Sequence, residues 1–324
     1  MDVSSIQAKE TSSKIESEHK KRGRTGRVKQ LEAREARSFW LLISPWIIGF
    51  IAFTGLPIIA SLFLSFTDYT GTALAPTFTG LANYQALFED PVYLKSIGVS
   101  TYYTILLVPL SVVCSLLLAL LLNQRVRFQG IFRTIFYMPS FLPGVAVSLL
   151  WVWILSPNFG LANYILNLLH LPSSLWLQDE NTVIPSFVLM ALWSIGGPMV
   201  VFLASLQGIP SELYEAAALD GSNGWHKFIS ITVPMLSPAI LLNLITSVIA
   251  AFQIFVPAYV VSNSGSGVGP NYSAQFYVLY LFNNAFQYFK FGYAAAQALI
   301  LFIIILLLTI LLLWGSRRFV YYES

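Results

Sequence analysis

The chain is 324 residues long, with 56% apolar, 15% aromatic and only 10% charged residues, and a formal charge of +3. Ordinary soluble domains carry about 25% charged residues, so this composition excludes one and points to a protein built for a bilayer. The single cysteine, Cys114, leaves no disulfide framework and no thiolate metal site.

Residues 1–38 form a polar tail with ten basic residues between Lys9 and Arg37 and no cleavable signal pattern. The run Lys20-Lys21-Arg22-Gly23-Arg24 lies ahead of an apolar span, where basic residues fix topology and meet anionic headgroups; nucleic-acid binding is not implied. Residues 1–27 are expected to be disordered, with Val28–Ser38 extending the first helix. A helical span needs about 20 apolar residues, and six stretches qualify: 39–66, 98–122, 131–155, 184–208, 236–261 and 294–315. None contains Asp, Glu or Lys, and Arg133 stands near the start of the third.

In the first span, Pro45, Gly49, Gly55 and Pro57 predict a bend. An outer stretch, 67–97, follows and contains F-x-G-L-x-N-Y at Phe78–Tyr84. The third span carries Pro139 and Pro143, which free backbone carbonyls at membrane depth, ahead of Trp151 and Trp153, read as interface anchors. The fourth holds Trp193-Ser194-Ile195-Gly196-Gly197-Pro198, a kink or unwound turn that serves either a permeation path or close helix packing. Ser194 and Gly197 are therefore path candidates. In the fifth span Asn243, Thr246, Ser247, Ala250, Gln253 and Pro257 fall within an arc of roughly 120° at helical spacing. Asn243, Ser247 and Gln253 from that face are the remaining path candidates, and an interhelical hydrogen-bonded seam is the alternative reading. Two outer segments are longer than turns. Residues 156–183 include Leu161–Leu171, amphipathic enough for a helix lying on the surface, and 263–292 open on Ser264-Gly265-Ser266-Gly267. They read either as gates and contacts for a delivery protein or as plain loop closures.

The charge pattern orients the chain. Basic residues cluster in the N-terminal tail, at Arg125, Arg127 and Arg133, at Lys227, and at Arg317 and Arg318, while the other side has only Lys95 and Lys290. The positive-inside rule then places both termini and the loop around Glu215 in the cytoplasm. Spans without carboxylates argue against a proton-coupled carrier, and no G-x-x-x-x-G-K-[ST] stretch is present to cradle nucleotide phosphates. The spans offer serines but no His or Lys partner, which argues against an intramembrane protease. His19, His170 and His226 fall in separate polar segments and form no site, and no metal or cofactor is expected. Energy for transport must then arrive through contact with another subunit.

Between the fourth and fifth spans lies E-A-A-x-x-x-G-x9-I-x-x-P, with Glu215-Ala216-Ala217, Gly221, Ile231 and Pro234. Pro210 and Ser211 are helix starters, Glu212 and Glu215 suit the positive end of a helix dipole, the alanines favour helix with minimal bulk, and Gly221 stops it. This segment resembles the cytoplasmic coupling loop of permease subunits of binding-protein-dependent ABC importers. With the F-x-G-L-x-N-Y stretch and the third-span prolines, residues 77–318 are similar to the sugar-type group that includes maltose, lactose and glycerol-3-phosphate permeases. The resemblance implies an all-α integral membrane protein of six transmembrane helices with the type I importer fold. It would comprise a cytoplasmic tail 1–38, a first helix 39–66, a periplasmic loop 67–97, a five-helix core 98–318 containing the coupling loop 209–234, and a tail 319–324.

The same resemblance implies a bacterial inner-membrane protein partnered by a second homologous permease, two ATPase subunits that bind the ATP, and a periplasmic solute-binding protein. Alternating access would move a saccharide, neutral or acidic such as alginate fragments; glycerol 3-phosphate or another small polar solute is the alternative, and a secondary carrier a distant one. Glu215 would supply the polar contact to the ATPase, Ala216 and Ala217 close packing, and Asp220 and Gly221 the turn.

Overall fold

A computed structural model describes residues 35, 37–71, 76–124 and 127–317. The expected disorder of residues 1–27, the helical extension before Glu35, Arg125, Arg318 and the tail 319–324 lie outside the described residues. The chain divides into two compact units, 1–63 and 64–324. The first contains most of helix α1, Arg37–Leu64, whose wide turn at Ile51–Gly55 adds a residue to the helical ladder. That turn falls between Gly49 and Pro57, where the sequence predicts a bend.

The described part of the second unit is mostly helical, and among the described residues its one β-bridge pairs Thr67 with Phe78. Its helices are α2, Ala82–Glu89; α3, Pro91–Asn123; α4, Gln129–Tyr137; α5, Gly144–Ile154; α6, Leu161–Leu168; α7, Val183–Leu192; and α8, Gly196–Gln207. Then follow α9, Ser211–Leu219; α10, Val233–Phe252; α11, Val256–Val261; α12, Tyr277–Phe282; and α13, Phe291–Ser316. Among the described residues, four stretches are long and apolar enough to cross a membrane: α1, α3, Gly224–Gly265 and α13. The total reaches six if each of two bent pairs is one span: Gln129–Phe141 with α5, bent by 98°, and α7 with α8, bent by 49°.

Helix α3 is the axle. Its 33 residues reach about 50 Å, more than a hydrocarbon core requires, so it begins well before the expected span at 98. Asp90 caps it by accepting the Val92 and Tyr93 amides, and Pro91 occupies the first turn, where no amide is needed. Hydroxyls inside this apolar helix turn back on their own carbonyls, as Thr104 does to Ser100 and Ser115 to Ser111. Three apolar clusters line α3. One joins Val99 and Tyr103 to Phe187, Val261 and Phe276. A second packs Val112, Ala119 and Leu122 on Met199, Phe202 and Leu236, while Tyr93 joins Leu87, Tyr277 and Ala296 in the third.

The F-x-G-L-x-N-Y stretch acts as a structural clamp. Asn83 donates to the Ser65 and Thr67 carbonyls at 2.9 and 2.7 Å, and Tyr84 donates to the Ser65 hydroxyl at 2.8 Å. The Gly292 amide donates to the Tyr69 carbonyl, and a Cβ on Gly292 would lie 2.0 Å from the Thr67 carbonyl oxygen, so only glycine lets α13 start there.

Candidate functional site

The breaks in the third, fourth and fifth apolar stretches converge. At the first break, Met138–Phe141 tightens into a 3-10 turn and Leu142 and Pro143 are extended; proline disfavours helix in the residue before it. At the second, Ser194 and Ile195 leave the helix before Gly196, and Pro198 sits in the first turn of α8. The third break, at Gln253–Phe255, precedes Pro257 at the start of α11, so the expected continuous span 236–261 is two helices. A proline has no amide to continue the ladder, which makes these stretches the weak points of each span.

Gly196 fixes how closely two of the breaks meet. A Cβ there would lie 2.5 Å from the Phe136 carbonyl oxygen and 2.8 Å from the Tyr137 Cα, so the α8 start packs directly on α4 backbone. Ser140 Oγ approaches the Ser194 carbonyl oxygen at 3.5 Å, and the Trp151 and Trp193 rings meet edge to face at 6.2 Å. Trp151 thus packs against the core while Trp153 is exposed, so only Trp153 is placed as an anchor would be.

Between the breaks lies a cavity of about 450 Å³. Its hydroxyls come from Tyr103, Ser111, Ser140, Ser148, Ser194 and Ser247, and the rest of its lining is apolar with no charged side chain. Ser194 and Ser247, two of the five path candidates, are thus brought together. The other three are placed differently. Gly197 adjoins the lining residue Pro198, with nothing within 4 Å of a Cβ built on it. Asn243 is 3% exposed in α10, outside the cavity lining, and its Nδ2 has no hydrogen-bond partner among the described residues. Gln253 is exposed at the α10–α11 break and also outside the lining, because the helix ends one residue earlier and its expected register is lost. Tyr103, Ser111, Ser140 and Ser148 lie on helices whose polar periodicity is weak, so the sequence reading missed them; the paired prolines around Ser140 were the available signal.

The segment around Glu215 forms α9, and its end follows from the glycine. Gly221 has φ +74°, its amide donates to the Ala218 carbonyl at 3.1 Å, and the Ser222 amide donates to the Ala217 carbonyl at 2.9 Å. This double bond closes a helix only when the residue past its cap is left-handed. Asn223 then caps the next turn by accepting the His226 amide at 2.8 Å. A hydrogen bond of 2.9 Å joins the Tyr214 and Thr232 hydroxyls and braces α9 against the start of the fifth stretch. Glu215, Ala216 and Asp220 are exposed, Ala217 is half-buried, and Leu219 is 89% exposed on the same helix. An apolar side chain so exposed beside a carboxylate gives α9 a surface with both packing and polar character.

Residues 111–321 match the family described as binding-protein-dependent transport system inner membrane component. The chain belongs to this family. It is also 41% identical over 88% of its length to the probable ABC transporter permease protein YesP of Bacillus subtilis, covering 92% of that protein. The multiple sugar-binding transport system permease protein MsmF of Streptococcus mutans is 32% identical over 86% of this permease, with 94% of MsmF covered. Among solved structures, a bacterial alginate ABC transporter in complex with an alginate pentasaccharide-bound periplasmic protein has a chain that superposes with a TM-score of 0.76. The likeness covers 90% of this permease and 99% of that chain at 23% identity, which is a likeness of fold. The protein is therefore an all-α membrane permease of the ABC type, a non-catalytic subunit and not an enzyme.

Proposed function

We propose that this permease forms half of an ATP-driven path that imports a saccharide across the bacterial inner membrane. The observation that carries the substrate class is the uncharged cavity at the three helix breaks. The accessible hydroxyls of Ser140, Ser194 and Ser247 can exchange hydrogen bonds with sugar hydroxyls, while Leu142, Ile254 and the aliphatic wall cover the apolar faces of a ring. A relative named for multiple sugars supports the same class. A cavity without cations favours a neutral saccharide over alginate fragments or glycerol 3-phosphate, whose charges would need partners supplied by another subunit.

A second homologous permease completes the path, two ATPase subunits bind ATP on the cytoplasmic side, and a solute-binding protein delivers substrate outside. The basic clusters support a cytoplasmic location for both termini and α9. There Glu215 contacts the ATPase through a charge pair, Ala216 and Ala217 allow close approach, and Asp220 and Gly221 hold the turn. Closure of the ATPase dimer around ATP moves α9, and the brace from Tyr214 to Thr232 passes that motion into α10, which carries Ser247 at the cavity.

Uptake into proteoliposomes holding the complete transporter and its binding protein tests this reading. Radiolabelled neutral oligosaccharides are expected to accumulate only with ATP inside, ahead of alginate oligosaccharides and glycerol 3-phosphate. Accumulation of the acidic solutes alone would overturn the neutral-saccharide assignment, and uptake driven by an ion gradient without ATP would point to a secondary carrier.

A further inference from the structure

Helix α6 is built inside out for a helix on a watery surface. Leu161, Tyr164, Ile165 and Leu168 recur at i, i+3, i+4 and i+7, which puts them on one stripe about 100° wide. They are 56%, 63%, 47% and 61% exposed. The polar residue opposite them, Asn163, is 4% exposed and fully engaged: its Nδ2 donates to the Pro157 and Ser174 carbonyls at 3.0 and 2.9 Å. Its Oδ1 accepts the Ser174 amide at 3.1 Å and the Trp176 indole at 2.8 Å. Replacing or rotating Asn163 would strand several buried polar groups, so the network holds the apolar stripe outward against its own preference for burial.

We propose that this stripe is a lipid-facing surface: α6 lies in the outer interface of the bilayer, with Leu161, Tyr164, Ile165 and Leu168 seated at the boundary of headgroups and acyl chains. Three observations select lipid as the occupant. The first is depth. The Gly160 amide donates to the Ser156 carbonyl, and a Cβ on Gly160 would lie 2.5 Å from the Ile154 carbonyl oxygen, so α6 starts against the last turn of α5. Leu155, at that end, packs in one cluster with Val183, which opens α7, and Val261, which closes α11. These helix ends share one apolar cluster, which the proposed orientation puts on the outer side of the membrane.

The second is continuity. Leu149 and Trp153 on α5, then Phe159, extend the same run of exposed large apolar side chains directly into α6. The third is charge. No Asp, Glu, Lys or Arg occurs between Arg133 and Asp179, whereas a helix that rested on water or met a soluble delivery protein through a polar rim would carry some. Tyr164 adds an exposed amphipathic ring of the kind that favours the interface. The proposal rests on the membrane placement of α5 and not on the coupling role of α9, so either can fail alone.

The test is site-directed spin labelling of the complete transporter in proteoliposomes, in a Cys114→Ala background. Nitroxides placed by Ile165→Cys and Leu168→Cys are compared with one at exposed Asn167→Cys, off the stripe. The proposal expects oxygen, which partitions into lipid, to collide with labels 165 and 168 several-fold more than a water-soluble nickel chelate does, with the preference reversed at 167. Nickel-dominated collisions at 165 and 168 would overturn it in favour of a solvated helix. Suppression of both reagents at these sites in the complete transporter, relieved in the isolated permease, would overturn it in favour of a protein partner. Substitution at these exposed positions spares the Asn163 network, and ATP-dependent assembly of the labelled variants serves as the folding control.

Discussion

Gly196 and Gly197 are adjacent, yet they meet different surroundings. A methyl group on Gly196 collides with α4 backbone, which cannot swing aside, whereas one on Gly197 meets nothing within 4 Å. Gly196→Ala is therefore expected to cost about 1–3 kcal/mol by forcing α8 off α4, and Gly197→Ala to leave stability close to wild type. Thermal unfolding of the detergent-solubilised permease separates them; equal melting temperatures would contradict the close approach. A second residue-scale prediction concerns Asp90. Partial burial pushes its carboxyl up, but hydrogen bonds from Tyr280 and Tyr293 and from the Tyr93 and Val92 amides outweigh that and hold it below the usual carboxylate range. A depressed carboxylate contributes stability that is present above its unfolded value and is lost as pH falls through the folded one. Asp90→Ala should cost roughly 1 kcal/mol or more at neutral pH through the lost helix cap and should flatten the acid limb of stability against pH. An unchanged acid limb would show that another group carries it.

At the scale of elements, the three broken stretches line the cavity, and under the proposed function it must stay open for solute to pass. Ser194→Trp together with Ser247→Trp fills it, so substrate uptake is expected to be lost while the ATPase still co-purifies with the permease. Uptake near the wild-type rate would show that solute passes elsewhere. Part of this arrangement was legible in the residues: Pro139, Pro143, Gly196 and Gly197 mark two of the breaks because proline and glycine act on the local backbone, whereas the break ahead of Pro257 falls inside a stretch expected to be continuous. Gly221 likewise announces the end of α9 through its left-handed conformation. What was not legible depends on contacts distant in sequence. The Tyr280–Asp90–Tyr293 node joins residues about 200 positions apart, and Asn163 looks like a solvated polar residue until the chain from Pro157 to Trp176 folds around it. Gln253 and Asn243 were grouped with Ser247 on the premise of a straight helix. The break after Phe252 removes Gln253 from that face, and packing buries Asn243.

At the scale of the whole molecule, α3 touches all three apolar clusters and gives the broken helices a rigid reference, while α9 projects an exposed carboxylate and an exposed leucine. The central claim is that α9 transmits the work of a separate ATPase. Co-purification of the ATPase with solubilised permease, measured for wild type and Glu215→Lys at equal amounts of permease in the membrane, tests it most directly. Removing one partner of a desolvated charge pair costs about 3–5 kcal/mol, so the account predicts that Glu215→Lys loses the ATPase and its substrate-stimulated hydrolysis. Retention of both at wild-type levels would contradict it and would leave α9 an ordinary connection between two spans.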